Sequence, residues 1–256
     1  MADDLTMYWR LAGRAFAPYM STLPGGAGRI DAEGWISLTG EPIGSLNMAF
    51  VEDDSGAEGY LAGIADIVAE QGLPMIVLMA PALSARVAPV ATALGLRASP
   101  GLPVMAMRPA GSGSEERGQG PYLVTRVIRN DERLGALRLQ AETFGMPLAS
   151  LERSFPAPFV NAPGFDLFLA TRDGEPFSTV TTTTVDGVTG LWSMATPPAR
   201  QRRGAGSAAF DAAIAYRQAR GVERFYLGAS PAGGPLYAKR GFLTIAETAV
   251  WEAGPA

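Results

Sequence analysis

The sequence predicts an α/β (α+β) chain of two domains, and three observations carry that expectation. In the first half, stretches of helical periodicity alternate with short apolar runs bounded by proline and glycine. In the second half, three strand-like runs are joined at Asp173-Gly174 and Asp186-Gly187, dipeptides suited to the tight turns of β-hairpins. The two halves also share punctuation in the same order, on either side of a Gly- and Ser-rich stretch at 111–120, which reads as a linker.

Taken in order, the first half reads as a helix over 5–20, strands over 35–38 and 45–51, and a helix over 57–70 ending at Gly72. Met75-Ile76-Val77-Leu78-Met79 lies between Pro74 and Pro81, a short apolar run of the kind expected of a buried strand. A helix over 84–94 and a closing strand over 104–107 follow. In the second half, helices over 134–144 and 148–155 break at Gly145-Met146-Pro147. Strands over 165–171, 176–185 and 188–195 then make a three-stranded meander. A helix beginning near Gly206 places Phe210, Ala213, Ile214 and Arg217 on one face, with Gly221 as its C-cap. A strand over 224–229 comes next.

Three matches suggest an internal repeat. Gly40-Glu41-Pro42 corresponds to Gly174-Glu175-Pro176, each expected to open a strand. Gly72, before the run at 75–78, corresponds to Gly221, before 224–227. Leu94-Gly95-Leu96 corresponds to Arg240-Gly241-Phe242. The interval from Pro42 to Gly72 is shorter than that from Pro176 to Gly221 by about the length of a strand and a loop.

Composition excludes more chemistry than it suggests. The chain has 256 residues, 47% of them hydrophobic, enough for one large or two modest soluble domains. It has no Cys and no His. Disulfides, thiol nucleophiles, Ser-His triads and Cys/His zinc sites are therefore out of reach, and no metal is expected. A net charge of -4 argues against a nucleic-acid partner. No apolar run is long enough for a membrane span, and Met1-Ala2-Asp3-Asp4 lacks the basic start of a signal peptide. The expectation is a cytoplasmic protein without a membrane partner.

Arg200-Gln201-Arg202-Arg203-Gly204-Ala205-Gly206-Ser207 is a basic, glycine-containing loop between a strand and a helix, suited to a polyphosphate. A Walker loop would need Lys and Ser/Thr directly after its last glycine, whereas Ser207-Ala208 follows here. Gly204-x-Gly206-x-x-Ala209 fits a dinucleotide fingerprint in letters, but residues 196–203 separate it from the strand, and the next strand ends in Gly-Ala instead of an acidic residue. A bare helix entry with glycines in a tight turn is the remaining reading from the loop alone.

Gln201-x-x-Gly204-x-Gly206 resembles the acetyl-CoA pyrophosphate loop of the GNAT superfamily of N-acetyltransferases, whose pattern is Q/R-x-x-G-x-G/A. Downstream, Ala229-Ser230-Pro231 leads to Leu236-Tyr237-Ala238-Lys239-Arg240-Gly241-Phe242, similar to that family's closing Leu-Tyr-x-x-x-Gly-Phe segment. The resemblance covers roughly residues 122–252. It implies two GNAT-like domains, each a mixed, mostly antiparallel central sheet flanked by helices: a degenerate one at 1–110, the linker, and an intact one at 121–256.

The resemblance further implies acetyl-CoA as cosubstrate and an amine acceptor. Backbone N–H groups of Arg202, Arg203, Gly204, Ala205, Gly206 and Ser207, with Gln201 of the motif, would hold the pyrophosphate, and Arg202 or Arg203 would lie near the adenosine phosphate. The pantetheine arm would pair with the backbone of Met194, Ala195 and Thr196, and Ser230 is counted among the cofactor-binding residues. An N–H near Ala195 would polarise the thioester carbonyl. Tyr237 would protonate the leaving thiolate. The strand over 188–195 carries no carboxylate; Glu142 and Asp166 are the nearest by topology, and no base is assigned. The resulting expectation is an N-acetyltransferase acting on a small-molecule amine, monomeric or homodimeric. A noncatalytic acyl-CoA-binding or partner-binding module is the rival, and transfer of a longer acyl chain or to a hydroxyl is a third reading.

Overall fold

The computed structural model describes residues 2–52, 55–107 and 120–254. They form two compact units. One comprises the described residues up to Met105, Gly228–Gly233 and those from Thr244 on; the other comprises Ala106–Leu227 and Gly234–Leu243, again as far as these are described. Residues 111–119 of the expected linker lie outside the described residues.

The first unit begins with α1 (Ala2–Met20), β1 (Ala27–Ile30), β2 (Gly34–Leu38) and β3 (Met48–Val51). β1 has no counterpart among the strands expected from sequence. The strand expected over 45–51 starts late because Gly44–Leu46 is a 3₁₀ turn built around the fully buried Asn47. The Asn47 side chain accepts from the Thr39 N–H (2.9 Å) and donates to the Glu41 and Pro74 carbonyls (2.7 and 2.9 Å). Buried loop polar groups are thereby satisfied at the expense of three strand positions. α2 (Ala57–Gln71) follows, burying Tyr60, Leu61, Ile64 and Val68 along one stripe. Gly72, at φ 66°, ends it by donating to the Val68 carbonyl, the left-handed cap glycine favours. β4 (Met75–Met79) is buried as its uninterrupted apolar sequence requires. α3 (Pro81–Ala93) starts three residues before its expected beginning, with Pro81 in its first turn, where a missing N–H costs nothing. β5 (Arg97–Met107) is longer than expected.

The second unit contains β6 (Leu123–Arg126), α4 (Asn130–Phe144), α5 (Leu148–Ser154), β7 (Phe165–Arg172), β8 (Glu175–Val185), β9 (Val188–Ala195), α6 (Ala205–Gln218), β10 (Arg224–Gly228) and α7 (Gly234–Ala238). Both central residues of each meander turn have positive φ, Asp173 and Gly174 at 54° and 81°, Asp186 and Gly187 at 50° and 70°, as type I′ hairpins require. The strand order is β10-β9-β8-β7-β6, antiparallel except for β9–β10. α6 buries Phe210, Ala213, Ile214 and Arg217.

The last strand, β11 (Leu243–Ala253), lies in the first unit's sheet. It pairs antiparallel with β4, Ala249 opposite Met79 through Ala253 opposite Met75, and that sheet runs β1-β2-β3-β4-β11-β5. Its Trp251 donates to the Ser84 hydroxyl and its Thr248 accepts from Trp9. Both units are thus mixed, mostly antiparallel sheets flanked by helices, each with a single parallel pair (β3–β4 in the first) among the registered pairings.

Of the three repeat matches, Leu94-Gly95-Leu96 with Arg240-Gly241-Phe242 falls on equivalent turns, whereas Gly72 donates to Val68 and so makes a different turn from its counterpart Gly221. After α6, Gly221 (φ 82°) donates to Gln218 and Val222 to Arg217; after α7, Gly241 (φ 85°) donates to Ala238 and Phe242 to Tyr237; after α3, Gly95 (φ 82°) donates to Thr92 and Leu96 to Ala91. These are one hydrogen-bond pattern used three times. The Gly40-Glu41-Pro42 match is corrected. Glu175 opens β8 within the β7–β8 hairpin, whereas Gly40 follows β2 and precedes the Asn47 turn, so the two tripeptides sit in different connections.

Candidate active site

The site is built where β9 and β10 part. They pair in parallel only from Val188, Thr189 and Gly190 to Arg224, Phe225 and Tyr226, leaving 191–195 of β9 without a β10 partner. On its other edge β9 is bulged. Thr181 faces Trp192 and Thr179 faces Ala195, so the two residues Ser193 and Met194 stand against the single β8 residue Val180, and Ser193 has φ 47°. A bulge bends the strand and re-aims its side chains. Its sequence signal is the broken alternation of Leu191-Trp192 followed by Met194-Ala195.

The loop after β9 is held locally. The Ser178 hydroxyl donates to the Ala195 carbonyl (3.1 Å) and meets the Thr196 hydroxyl at 2.8 Å; Gln201 Nε2 donates to the Thr196 carbonyl at 2.9 Å. Gln201 therefore folds the loop back on the strand end. An Arg200 guanidinium N–H donates to the Pro176 carbonyl, and the group lies 5.2 Å from the centre of the Phe177 ring. The Tyr122 hydroxyl donates to the Arg203 carbonyl at 3.1 Å, a contact that nothing in the sequence signals. Arg202 and Gly204 both take positive φ, 61° and 87°. Arg202 and Arg203 are exposed.

α6 starts without a side-chain cap. Its N-cap is Gly204, and Ala208 is the first residue to donate back into the helix, to the Gly204 carbonyl at 3.0 Å. The N–H groups of Ala205, Gly206 and Ser207 thus point out of the helix start, where the macrodipole favours an anion. A pyrophosphate fits that donor set. Gly206 is needed for contact with the strand: a Cβ there would lie 2.9 Å from Met194 Cε and 3.1 Å from Thr196 Oγ1.

Tyr237, on α7, is 8% exposed. Its ring packs against Phe210 and Phe242, with centroids 5.2 and 6.3 Å away, and its hydroxyl donates to Met194 Sδ at 3.7 Å. Burial pushes its phenol above the ordinary tyrosine value, so it stays protonated at neutral pH. Arg240 binds Asp211 of α6 through two N–H groups, the longer of these bonds 2.8 Å, and ties the turn after α7 to that helix. Met194 therefore joins Gly206 on one side to Tyr237 on the other. Ser230 is not among them: its exposed hydroxyl accepts from the Gly233 N–H at 3.2 Å, in a segment that belongs to the first unit. Of the carboxylates considered, Asp166 is buried and bound to Arg217 (2.5 Å) and Arg126, and Glu142 is exposed on α4.

The sequence matches the acetyltransferase (GNAT) family over residues 117–242. Those residues are a GNAT acetyltransferase domain. Domains of this family use acetyl-CoA. Three solved structures share the fold over most of the chain. A GCN5-related N-acetyltransferase from Kribbella flavida has a TM-score of 0.67 at 19% identity, covering 100% of this chain and 96% of that one. A GCN5-related N-acetyltransferase from Sphaerobacter thermophilus has 0.61 at 17%, covering 88% and 77%. A tandem GNAT protein from the clavulanic acid biosynthesis pathway has 0.58 at 15%, covering 99% and 97%. No curated protein sequence matches. Among the described residues no helix is long and apolar enough to cross a membrane, and no cluster of Asp and Glu could hold a metal ion.

In the first unit, β3–α2–β4 repeats the order of β9–α6–β10 in the GNAT domain. β3 and β4 pair in parallel from Met48 opposite Ile76 to Val51 opposite Met79, the last residue of each strand, so they do not part. The sequence between β3 and α2 is Glu52-Asp53-Asp54-Ser55-Gly56, acidic where the GNAT domain has Arg200 to Gly204.

Proposed function

We propose that the second unit transfers an acetyl group from acetyl-CoA to the amine of a small acceptor by direct attack. The observation that supports this is the convergence, in the gap beyond the paired part of β9 and β10, of an uncapped helix start and a buried phenol. The N–H groups at the start of α6 hold the pyrophosphate, with the exposed Arg202 and Arg203 beside them for the adenosine phosphate. The backbone of Met194, Ala195 and Thr196 pairs with the pantetheine arm as with an added strand. An N–H near Ala195 stabilises the oxyanion that forms on the thioester carbonyl. The acceptor attacks as the free amine, the new C–N bond replaces the C–S bond, the Tyr237 hydroxyl passes its proton to the departing thiolate, and the proton that the nitrogen sheds on becoming an amide goes to solvent, from which the Tyr237 phenolate recovers one. Asp166 stays in its ion pairs throughout and holds β7 to α6. CoA release from acetyl-CoA is measured against a panel of small amines, with peptides and alcohols alongside. Amine-dependent release supports the reading, whereas CoA binding with no release from any acceptor favours a noncatalytic acyl-CoA-binding module.

A further inference from the structure

The Met194 side chain occupies an unusual place. Its methyl group lies against Gly206, in the first turn of α6, closely enough that a Cβ on that glycine would be 2.9 Å away. Its sulfur accepts the Tyr237 hydroxyl. The side chain therefore bridges the start of α6 to the phenol, across the mouth opened by the Ser193 bulge and the short β9–β10 pairing. A thioether is a divalent sulfur, as a thioester sulfur is, and it is a weak acceptor that gives up a hydrogen bond at little cost. Methionine has three rotatable side-chain bonds and repacks readily.

We propose that Met194 is a displaceable plug that discriminates among ligands by their sulfur end: its thioether holds beside Tyr237 the place taken by the acyl-CoA sulfur, and it must swing aside before that sulfur can dock. This rests on the reading of the second unit as an acyl-CoA site. Ligands that stop at the phosphates do not meet the plug; ligands that carry the pantetheine arm do. A site open for only a tenth to a third of the time binds about three- to tenfold more weakly than a permanently open one.

The test compares CoA with adenosine 3′,5′-bisphosphate, which lacks the arm, by titration calorimetry on the full chain. Met194→Ala should bind CoA about three- to tenfold more tightly than the unaltered protein, with the bisphosphate affinity unchanged. Met194→Leu, which keeps much of the volume but lacks the sulfur that accepts from Tyr237, should bind CoA with an affinity between those of the unaltered protein and Met194→Ala, and CoA binding by Met194→Leu weaker than that of the unaltered protein counts against the plug. In the unaltered protein, labelled at its methionine methyl groups, the resonance absent from Met194→Leu should shift with CoA and stay in place with the bisphosphate. Equal or weaker CoA binding by a folded Met194→Ala protein, or a Met194 methyl that ignores CoA, overturns the plug and leaves the acyl-CoA site standing. Failure of the unaltered protein to bind CoA at all overturns the functional reading, and the plug with it.

Discussion

Tyr237 has a hydroxyl with a single weak partner and a ring fixed among Phe210 and Phe242, so removing the oxygen leaves the packing in place. Tyr237→Phe should lower turnover by about ten- to a thousandfold with CoA affinity little altered. Steady-state rates beside calorimetry check this, and undiminished turnover means that solvent protonates the thiolate. The same phenol gives a pH signature. Burial raises both Tyr237 and Tyr60 above the free value, which is about 10. The unfolded chain therefore loses these protons first. The stability they contribute is complete below pH about 10 and is lost as pH rises through the folded-state values; urea melts across that range should show the loss shrinking in Tyr237→Phe. Gly204 carries a different constraint. Its φ of 87° lies in the left-handed region, and the space beside it is open, with Tyr122 Cε2 4.0 Å from where a Cβ would sit. Gly204→Val should weaken CoA binding by about tenfold or more through backbone strain, while Gly204→Asn, which tolerates that region, should keep most of it.

At the scale of elements, α6 is held by ion pairs at two of its residues, Asp211 near its middle and Arg217 in its last turn. Arg240 reaches Asp211 from the turn after α7, and Arg217 crosses to Asp166 on β7, also donating to the Thr182 hydroxyl at 3.1 Å. The Arg217 side chain is 11% exposed and that of Asp166 7%, so Arg217→Leu leaves a buried carboxylate short of a partner and should destabilise the protein by about 3 kcal/mol. Removing the guanidinium of Arg126, 33% exposed, should cost nearer ~1 kcal/mol. Urea denaturation of the two variants checks the order, and equal small losses would show Asp166 to be solvated. The elements themselves are largely legible in the sequence. Hairpins announced by Asp-Gly and helix ends announced by Gly72, Gly145 and Gly221 depend on local backbone energetics, which neighbouring residues decide. The start of β3 is not legible, because Asn47 sets it through contacts with Thr39 and Pro74. The phosphate-loop and Tyr237 motifs can be found as residue patterns. The contact of Met194 with Gly206 and Tyr237 cannot, since residues distant in sequence meet there only once the bulge has formed.

For the molecule as a whole, the question is how many acyl-CoA sites one chain carries. The two units repeat a parallel strand–helix–strand and use the same glycine turn after helices, so the order of elements alone would allow two sites. Geometry and charge argue against a second one. A pantetheine arm needs a strand edge free of its neighbour, and β3 has none, because its pairing with β4 continues to Val51 and Met79. A pyrophosphate needs converging N–H groups and gains from nearby cations; after β3 the chain instead supplies Glu52-Asp53-Asp54, and Glu52 is buried and paired with Arg10 (Nε to Oε1, 2.6 Å). At low ionic strength, the carboxylates of Asp53 and Asp54, in the connection that would have to hold the phosphates, repel a polyanion, opposite in sign to the loop arginines of the GNAT domain. One CoA should therefore bind per chain, and adding salt should weaken that single event by screening the loop arginines. Neutralising the acidic connection with Asp53→Asn and Asp54→Asn should leave the ratio at one, since the closed β3–β4 pair still bars the arm. Titration calorimetry with CoA reads the ratio directly, and two equivalents of comparable affinity would make the first unit a second working site.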